Sequence, residues 1–263
     1  GNATAVLFPS GFTAGNISLD ATSSVTYQAN AAQAVSNLPV YGNLTIIANG
    51  TTKTCDGNLA VAGNLSVNAN ATLSAGTSAS AWTIGGNGSF AGTLSFGTDA
   101  AKSITIGGNL SGAGTINMTG DGLAHTLNLN GAANAITNFL TTAGSGSSVY
   151  YTLDGAQQVF VSANYQNLFI AGSGTKTFNA GNVTINGSLD ITGSTLAYNN
   201  TAARTVNVTG DLSGNGTLDM SPGPQLHILN LGGAANSVGT LVTAANGSTI
   251  NYNRAGDQAV FGS

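Results

Sequence analysis

Side chains able to do chemistry are few in this chain. Its 263 residues hold nine aspartates and no glutamate, two histidines, one cysteine and five Lys+Arg. His125 and His227 open the passages HTLNLNGAANAI and HILNLGGAANSV, 102 residues apart. Belonging to two copies of one passage, they read as equivalent strand-flanking residues rather than as joint ligands of a metal. The carboxylates are Asp20, Asp56, Asp99, Asp121, Asp154, Asp190, Asp211, Asp219 and Asp257. Glycoside hydrolysis needs two carboxylates about 5–10 Å apart. Asp211 and Asp219 are close in sequence, but their counterparts are Asn109 and Asn117. Asp154 and Asp257, in LDGAQ and AGDQA, are one register apart and do not repeat a calcium turn. Cys55 aligns with Phe178, which predicts a small core hydrophobe. A lone cysteine also excludes an internal disulfide framework. Gly-rich stretches such as GGNG lack the helix that a phosphate loop requires. Five scattered cations cannot build a nucleic-acid patch. The expectation is therefore no catalytic, cofactor-binding or metal residue, no nucleic-acid partner, and no enzyme.

The elements that carry these residues are copied. Residues 25–46 read VTYQANAAQAVSNLPVYGNLTI, residues 149–170 read VYYTLDGAQQVFVSANYQNLFI, and residues 250–261 begin again with INYNRAGDQAVF. Super-repeats therefore run over about 25–148, 149–249 and, in part, 250–263. From Tyr27 to Tyr151 is 124 residues, and from Tyr151 to Tyr252 is 101. GNLAVAGNLSV (57–67) matches GNVTINGSLDI (181–191) at offset 124, whereas AAKSITIGGNLSGAGTINM (100–118) matches AARTVNVTGDLSGNGTLDM (202–220) at offset 102. Some 22 residues, near 77–98, are thus present in the first copy only. Removal of so clean a block is natural for one coil of a solenoid, whose rungs touch only their neighbours.

A shorter period supports this. Ile84, Ile106, Leu129 and Tyr151 end apolar–x–apolar signals 22, 23 and 22 residues apart. Ile185, Val208, Leu231 and Tyr252 do so at 23, 23 and 21. The step falls to 15 between Ile46 and Val61 and between Ile170 and Ile185, which reads as one tight coil in each copy. Alternation in TINMT, TLNLN, VTING and TVNVT marks half-buried strands, and Gly/Asn clusters mark corners. SITI, NLS and TINM would form one coil. The predicted fold is all-β: a parallel β-solenoid (β-helix), right-handed as parallel crossovers usually are. It would be one continuous solenoid over 1–263, with three short strands per coil of about 22 residues and eleven or twelve coils. Charged residues make up 5% of the chain, and no apolar run suits a transmembrane helix. The pattern starts and stops inside a repeat, so a segment of a longer array is expected.

The motif Y-x5-Q-x-V, then Y-x-N-L-x-I, a G-x-x-K or G-T-K turn, and G-N-[LV]-x-[VI] spans nearly the whole chain. It is carried by Tyr27, Gln33, Val35, Tyr41, Asn43, Leu44, Ile46 and Lys53, and again by Tyr151, Gln157, Val159, Tyr165, Asn167, Leu168, Ile170 and Lys176. It resembles repeats of very large secreted surface proteins of Bacteroidota-type bacteria, similar in style to filamentous-haemagglutinin-like β-solenoid adhesins. The resemblance implies a structural, non-catalytic extracellular or cell-surface filament or adhesin shaft. Its partners would be further copies joined end to end, surface glycans or other cells. A carbohydrate-binding or polysaccharide-degrading β-helix is the alternative, with Trp82, alone in the unpaired coil, as the candidate exposed aromatic. An ice-binding solenoid is a lower alternative, because spacings of 15 to 23 and mixed outward Asn, Ser and Asp suit a regular threonine face poorly. Asn-x-Ser/Thr triplets at Asn43, Asn64, Asn109, Asn182, Asn207 and Asn246 arise automatically from alternating outward Asn and Thr.

Overall fold

The computed structural model describes residues 13, 16–47, 49–120, 122–243 and 247–261. Asp121, Asn246, Gly262 and Ser263 lie outside the described residues. Among the described residues every regular element longer than a single turn is a strand, and the strand pairs are parallel. Within each unit they stack as a β-solenoid in coils of about 22 residues, about ten turns in all. Dividing the whole chain by the coil length predicts more, whereas among the described residues the first strand begins at Ser24. Contacts divide the chain into two units: Gly1–Gly131 with Ile136–Thr142, and Ala132–Ala135 with Ala143–Ser263.

In the first unit, three stacks are built by taking every third strand, except that β16 follows β14. One stack holds β1 (Ser24–Tyr27), β4 (Asn43–Ile46), β7 (Leu65–Val67), β10 (Gly88–Phe90) and β13 (Leu110–Ser111). The next holds β2 (Gln33–Ala34), β5 (Thr52–Thr54), β8 (Thr72–Ser74), β11 (Thr93–Ser95), β14 (Thr115–Met118) and β16 (Asn138–Thr141). The third holds β3 (Val40–Tyr41), β6 (Leu59–Val61), β9 (Ser80–Ile84), β12 (Lys102–Ile106) and β15 (Thr126–Leu129). The second unit repeats the scheme. Its stacks are β17 (Ser148–Tyr151), β19 (Asn167–Ile170), β22 (Leu189–Ile191) and β25 (Leu212–Ser213); then β18 (Gln157–Val159), β20 (Thr175–Phe178), β23 (Thr195–Ala197), β26 (Thr217–Asp219) and β28 (Thr240–Val242); then β21 (Val183–Ile185), β24 (Thr205–Val208), β27 (Ile228–Leu231) and β29 (Thr249–Tyr252).

Period-two alternation sends one apolar row inward on every stack. Leu73, Leu94, Ile116 and Phe139 align across β8, β11, β14 and β16, all buried. SITI, NLS and TINM do form one coil, as β12, β13 and β14. Ile84, Ile106 and Leu129 are direct register partners, as are Ile185, Val208, Leu231 and Tyr252. The 15-residue step is not a tight coil, however. Ile46 ends β4 and Val61 ends β6, strands of different stacks. The register partner of Val61 is Tyr41, and that of Ile46 is Val67, 20 and 21 residues away. Strands of different stacks, such as β4 and β6, end on the same kind of inward apolar residue, so spacing alone does not say which stack a strand joins.

The second unit shows a consequence of this regularity. Tyr151 and Tyr252 are equivalent in sequence, yet Tyr151 stands in the stack of β17 whereas Tyr252 pairs with Leu231 in the stack of β21. A super-repeat is thus not a whole number of coils, and its successor starts on a different face.

Candidate functional site

Each of the first two super-repeats is marked by a buried pair of phenols. The Tyr27 hydroxyl accepts the Ser36 N–H at 3.0 Å, and the Tyr41 hydroxyl donates to the Ser36 carbonyl at 2.8 Å. Because the one Tyr41 proton is committed to that carbonyl, Tyr27 is the donor in the 2.7 Å bond between the two hydroxyls. The second copy repeats the circuit. Phe160 N–H donates to Tyr151 at 3.2 Å, Tyr165 donates to the Phe160 carbonyl at 2.7 Å, and the hydroxyls are 3.1 Å apart. In the third copy Phe261 N–H donates to Tyr252 at 2.9 Å. Buried backbone groups must be paired, and here an irregular link between strands has no ladder to pair them. The tyrosines take that role, and burial raises all four phenols of the first two copies above their ordinary range. Tyr151→Phe, which removes the hydroxyl that accepts the Phe160 N–H, should lower stability by about 1–3 kcal/mol. Denaturant titration checks this, and an unchanged midpoint would contradict the role.

Lys53 and Lys176 were read as turn residues, but both lie in strands, in β5 and β20, and point inward. Lys53 Nζ donates to the carbonyls of Ala29 and Ala31 at 2.5 Å and to Thr51 Oγ1 at 3.3 Å. Lys176 Nζ donates to the carbonyls of Leu153, Gly155 and Ser173. The stem fills an apolar position while the ammonium gathers corner carbonyls of the neighbouring coil. Desolvation lowers both lysine pKa values; the surrounding acceptors favour the charged form.

The other titratable groups also serve the backbone. His125 Nδ1 accepts the Lys102 N–H at 3.1 Å and its ring packs on Phe96, whereas His227 Nδ1 accepts the Arg204 N–H at 3.2 Å beside Tyr198. Each ring nitrogen stands in for a carbonyl at the start of a ladder. Asp56 Oδ1 accepts the N–H groups of Thr77 and Ser78 from the next coil, and Asp154 accepts that of Ser173. Asp211 accepts the Ala235 N–H, and Asp219 accepts the N–H and hydroxyl of Ser221. Cys55 is fully buried, and burial and Asp56 push its thiol up to about 12, far from a reactive thiolate. Among the described residues no three His, Cys, Asp or Glu side chains converge to hold a metal ion. A surface depression lined by Asn207, Thr209, Asn230, Gly232, Asn253 and Arg254 contains no carboxylate or histidine.

No protein-family model, curated protein or solved structure matches this chain. Function must therefore be argued from its own surface. Trp82, the expected exposed aromatic, is core: it is 1% exposed, and its indole N–H donates to the Gly57 carbonyl at 2.9 Å. Among the described residues, Tyr150, Phe169, Tyr252 and Phe261 are partly exposed aromatics; Tyr150 and Phe169 are register partners on β17 and β19 with rings stacked at 4.4 Å and 8°. Their first-copy counterparts are Thr26 and Thr45. The adjacent pair Tyr150-Tyr151 held the signal, since only one of two neighbours in a strand can face inward. Elsewhere the outward residues form ladders. Asn43, Asn64 and Asn87 each accept, through Oδ1, the N–H of the next asparagine up, ending at Asn109, at 2.8–2.9 Å. Asn251 donates to Asn230, and Asn230 to Asn207, at 2.8 and 2.7 Å. No helix among the described residues is long and apolar enough to cross a membrane.

His125 also makes stability pH-dependent. Burial, then the Lys102 charge, lowers the His125 pKa below its ordinary value of 6.5, against a smaller opposing effect of the Gly97 carbonyl. The unfolded chain therefore takes up the proton first. This contribution is intact above 6.5 and is lost as pH falls through 6.5 towards the folded value. Denaturant midpoints of the wild type should fall more steeply than those of His125→Gln between about pH 7.5 and 5.5; parallel slopes would refute it.

Proposed function

We propose that the chain is a structural, non-catalytic segment of an extracellular or cell-surface filament or adhesin shaft. The observation that carries this reading is the employment of its reactive side chains. Histidines, the buried lysines, the cysteine and the bonded aspartates satisfy backbone or fill the core. Stacked parallel rungs give stiffness from nearest-neighbour contacts that accumulate with coil number, and amide ladders add bonds along the stack. Strand edges at the ends of such stacks favour end-to-end association. Negative-stain imaging of the native material tests the reading: fibres of uniform width support it, and isolated short particles overturn it.

The Tyr150–Phe169 stack favours a second reading, recognition of surface glycans. An aromatic surface suits the apolar faces of sugars, and the neighbouring Asp190 and Ser213 offer hydrogen bonds. A glycan array should then give a signal that Phe169→Thr, which restores the first-copy residue type, removes. No array signal, or one indifferent to Phe169→Thr, would discard it.

A further inference from the structure

The outward rows of the second stack of the first unit differ from every ladder described above. Thr52, Thr72, Thr93 and Thr115 are direct register partners, followed by Asn138. Two residues along each strand runs a second row, Thr54, Ser74, Ser95 and Asn117. The steps along the first row are 20, 21, 22 and 23 residues, yet the register never slips, because the extra residues are taken up in the corners. The irregular spacing that argued against a regular threonine face in the sequence is therefore absent from the face itself.

The geometry points to ice as the ligand of this face. Neighbouring rungs are about 4.8 Å apart and alternate residues of a strand about 6.7 Å. Up to Thr115 in the first row and Ser95 in the second, the two rows thus form a nearly rectangular net of hydroxyls, continued by the amides of Asn138 and Asn117 and similar in both directions to the oxygen net on a prism face of ice. Of the second row, Ser95 Oγ also accepts the Gly97 N–H at 3.3 Å, and Asn117 accepts from Thr119. Threonine suits such a task because its branched Cβ stiffens χ1, so little side-chain entropy is lost on ordering water. The asparagine ladders bond to themselves, but among the described residues no side-chain partner takes the hydroxyls of Thr52, Thr72, Thr93 or Thr115. They are free to hold water, with threonine methyls between them. Charge would hold a competing hydration shell, and neither row carries any; Lys53 of the same stack points inward. Ordered waters bridging such hydroxyls bind nearly as well as direct hydrogen bonds, and many weak contacts repeated on one net add up.

The second unit supplies an internal control. Its corresponding stack keeps a first row, Thr175, Thr195, Thr217 and Thr240. Its second row reads Thr177, Ala197, Asp219 and Val242, with Ala197 buried and Asp219 charged. One intact row cannot make a two-dimensional match, so this face should not bind ice.

The experiment measures thermal hysteresis and ice-crystal shaping with the purified chain, alongside circular dichroism. The wild type should arrest and facet ice crystals. Thr93→Lys, at an outward position that leaves the core untouched, should remove most of the hysteresis, and Thr72→Lys one rung away should do the same. Thr217→Lys should change nothing. A wild type no more active than an equal mass of serum albumin overturns the inference. So does equal loss from Thr217→Lys and Thr93→Lys with all proteins folded. This inference stands apart from the filament reading, which imaging tests separately.

Discussion

Gly112→Ala is expected to be among the most damaging single substitutions in the first unit, lowering stability by about 2–6 kcal/mol. Two costs combine. Gly112 has φ +142°, a region essentially closed to residues with a side chain, which costs about 1–3 kcal/mol. A Cβ there would also stand 1.9 Å from the Phe90 carbonyl oxygen of the coil below. That oxygen cannot retreat, because it accepts the Gly114 N–H at 2.8 Å and ends a laddered strand. Relieving such an overlap by moving packed backbone adds about 1–3 kcal/mol. The second unit repeats the device: Gly214 has φ +111°, a Cβ would fall 2.0 Å from the Ile191 oxygen, and Gly216 N–H bonds that oxygen at 2.8 Å. Gly122 is the control. Its φ is +69°, but nothing lies within 4 Å of an added Cβ, so Gly122→Ala should cost only about 1 kcal/mol. Denaturant midpoints at constant m decide the matter; comparable losses for Gly112→Ala and Gly122→Ala would sink the argument.

The sequence is legible where a residue type has one structural use. Alternation in TINM and TLNL needs an inward and an outward row, so strand positions and the 22-residue coil follow directly. Cys55 and Phe178 share a position because both fill the core. Three features escape such reading. The stack a strand joins depends on corner length, so Ile46 and Val61 mimic one coil while belonging to two stacks. Trp82 stands in a coil without a counterpart, which made it look exceptional, although its place in β9 gives it the same inward direction as its register partners Leu59 and Ile104. Lys53 and Lys176 follow glycine-bearing corners and so resemble turn residues. Only the coil geometry shows that carbonyls of the neighbouring corner lie within reach of the ammonium. The unengaged threonine row is hidden for a related reason: sequence spacing includes the corners, whereas register on a face does not.

Deleting residues 77–98 should leave a folded protein, with stability reduced by about 1–3 kcal/mol, the share of 22 residues at ordinary stability per residue. The segment contains β9, β10 and β11, one strand of each stack. Lys102 is the register partner of Ser80, so after the deletion β12 takes the place of β9 without slipping. Leu59 and Val61, which now face Trp82 and Ile84, would face Ile104 and Ile106; Leu73 would face Ile116 in place of Leu94. Apolar meets apolar at each new junction. The second unit already has this arrangement: its β23 leads directly to β24, the counterparts of β8 and β12. Deleting only 77–87 should behave quite differently. Half a coil puts strands over corners, and an odd number of residues inverts the inward and outward rows, since a one-residue slip moves a strand's apolar set to the solvent face. Tyrosines, lysines and glycines that close corners would then meet strands that need no closing. The full-coil deletion should keep a β-sheet dichroism spectrum and a single cooperative transition, whereas the half-coil deletion should lose both. If both deletions unfold the protein, or neither does, the coil is not the unit in which this chain tolerates change.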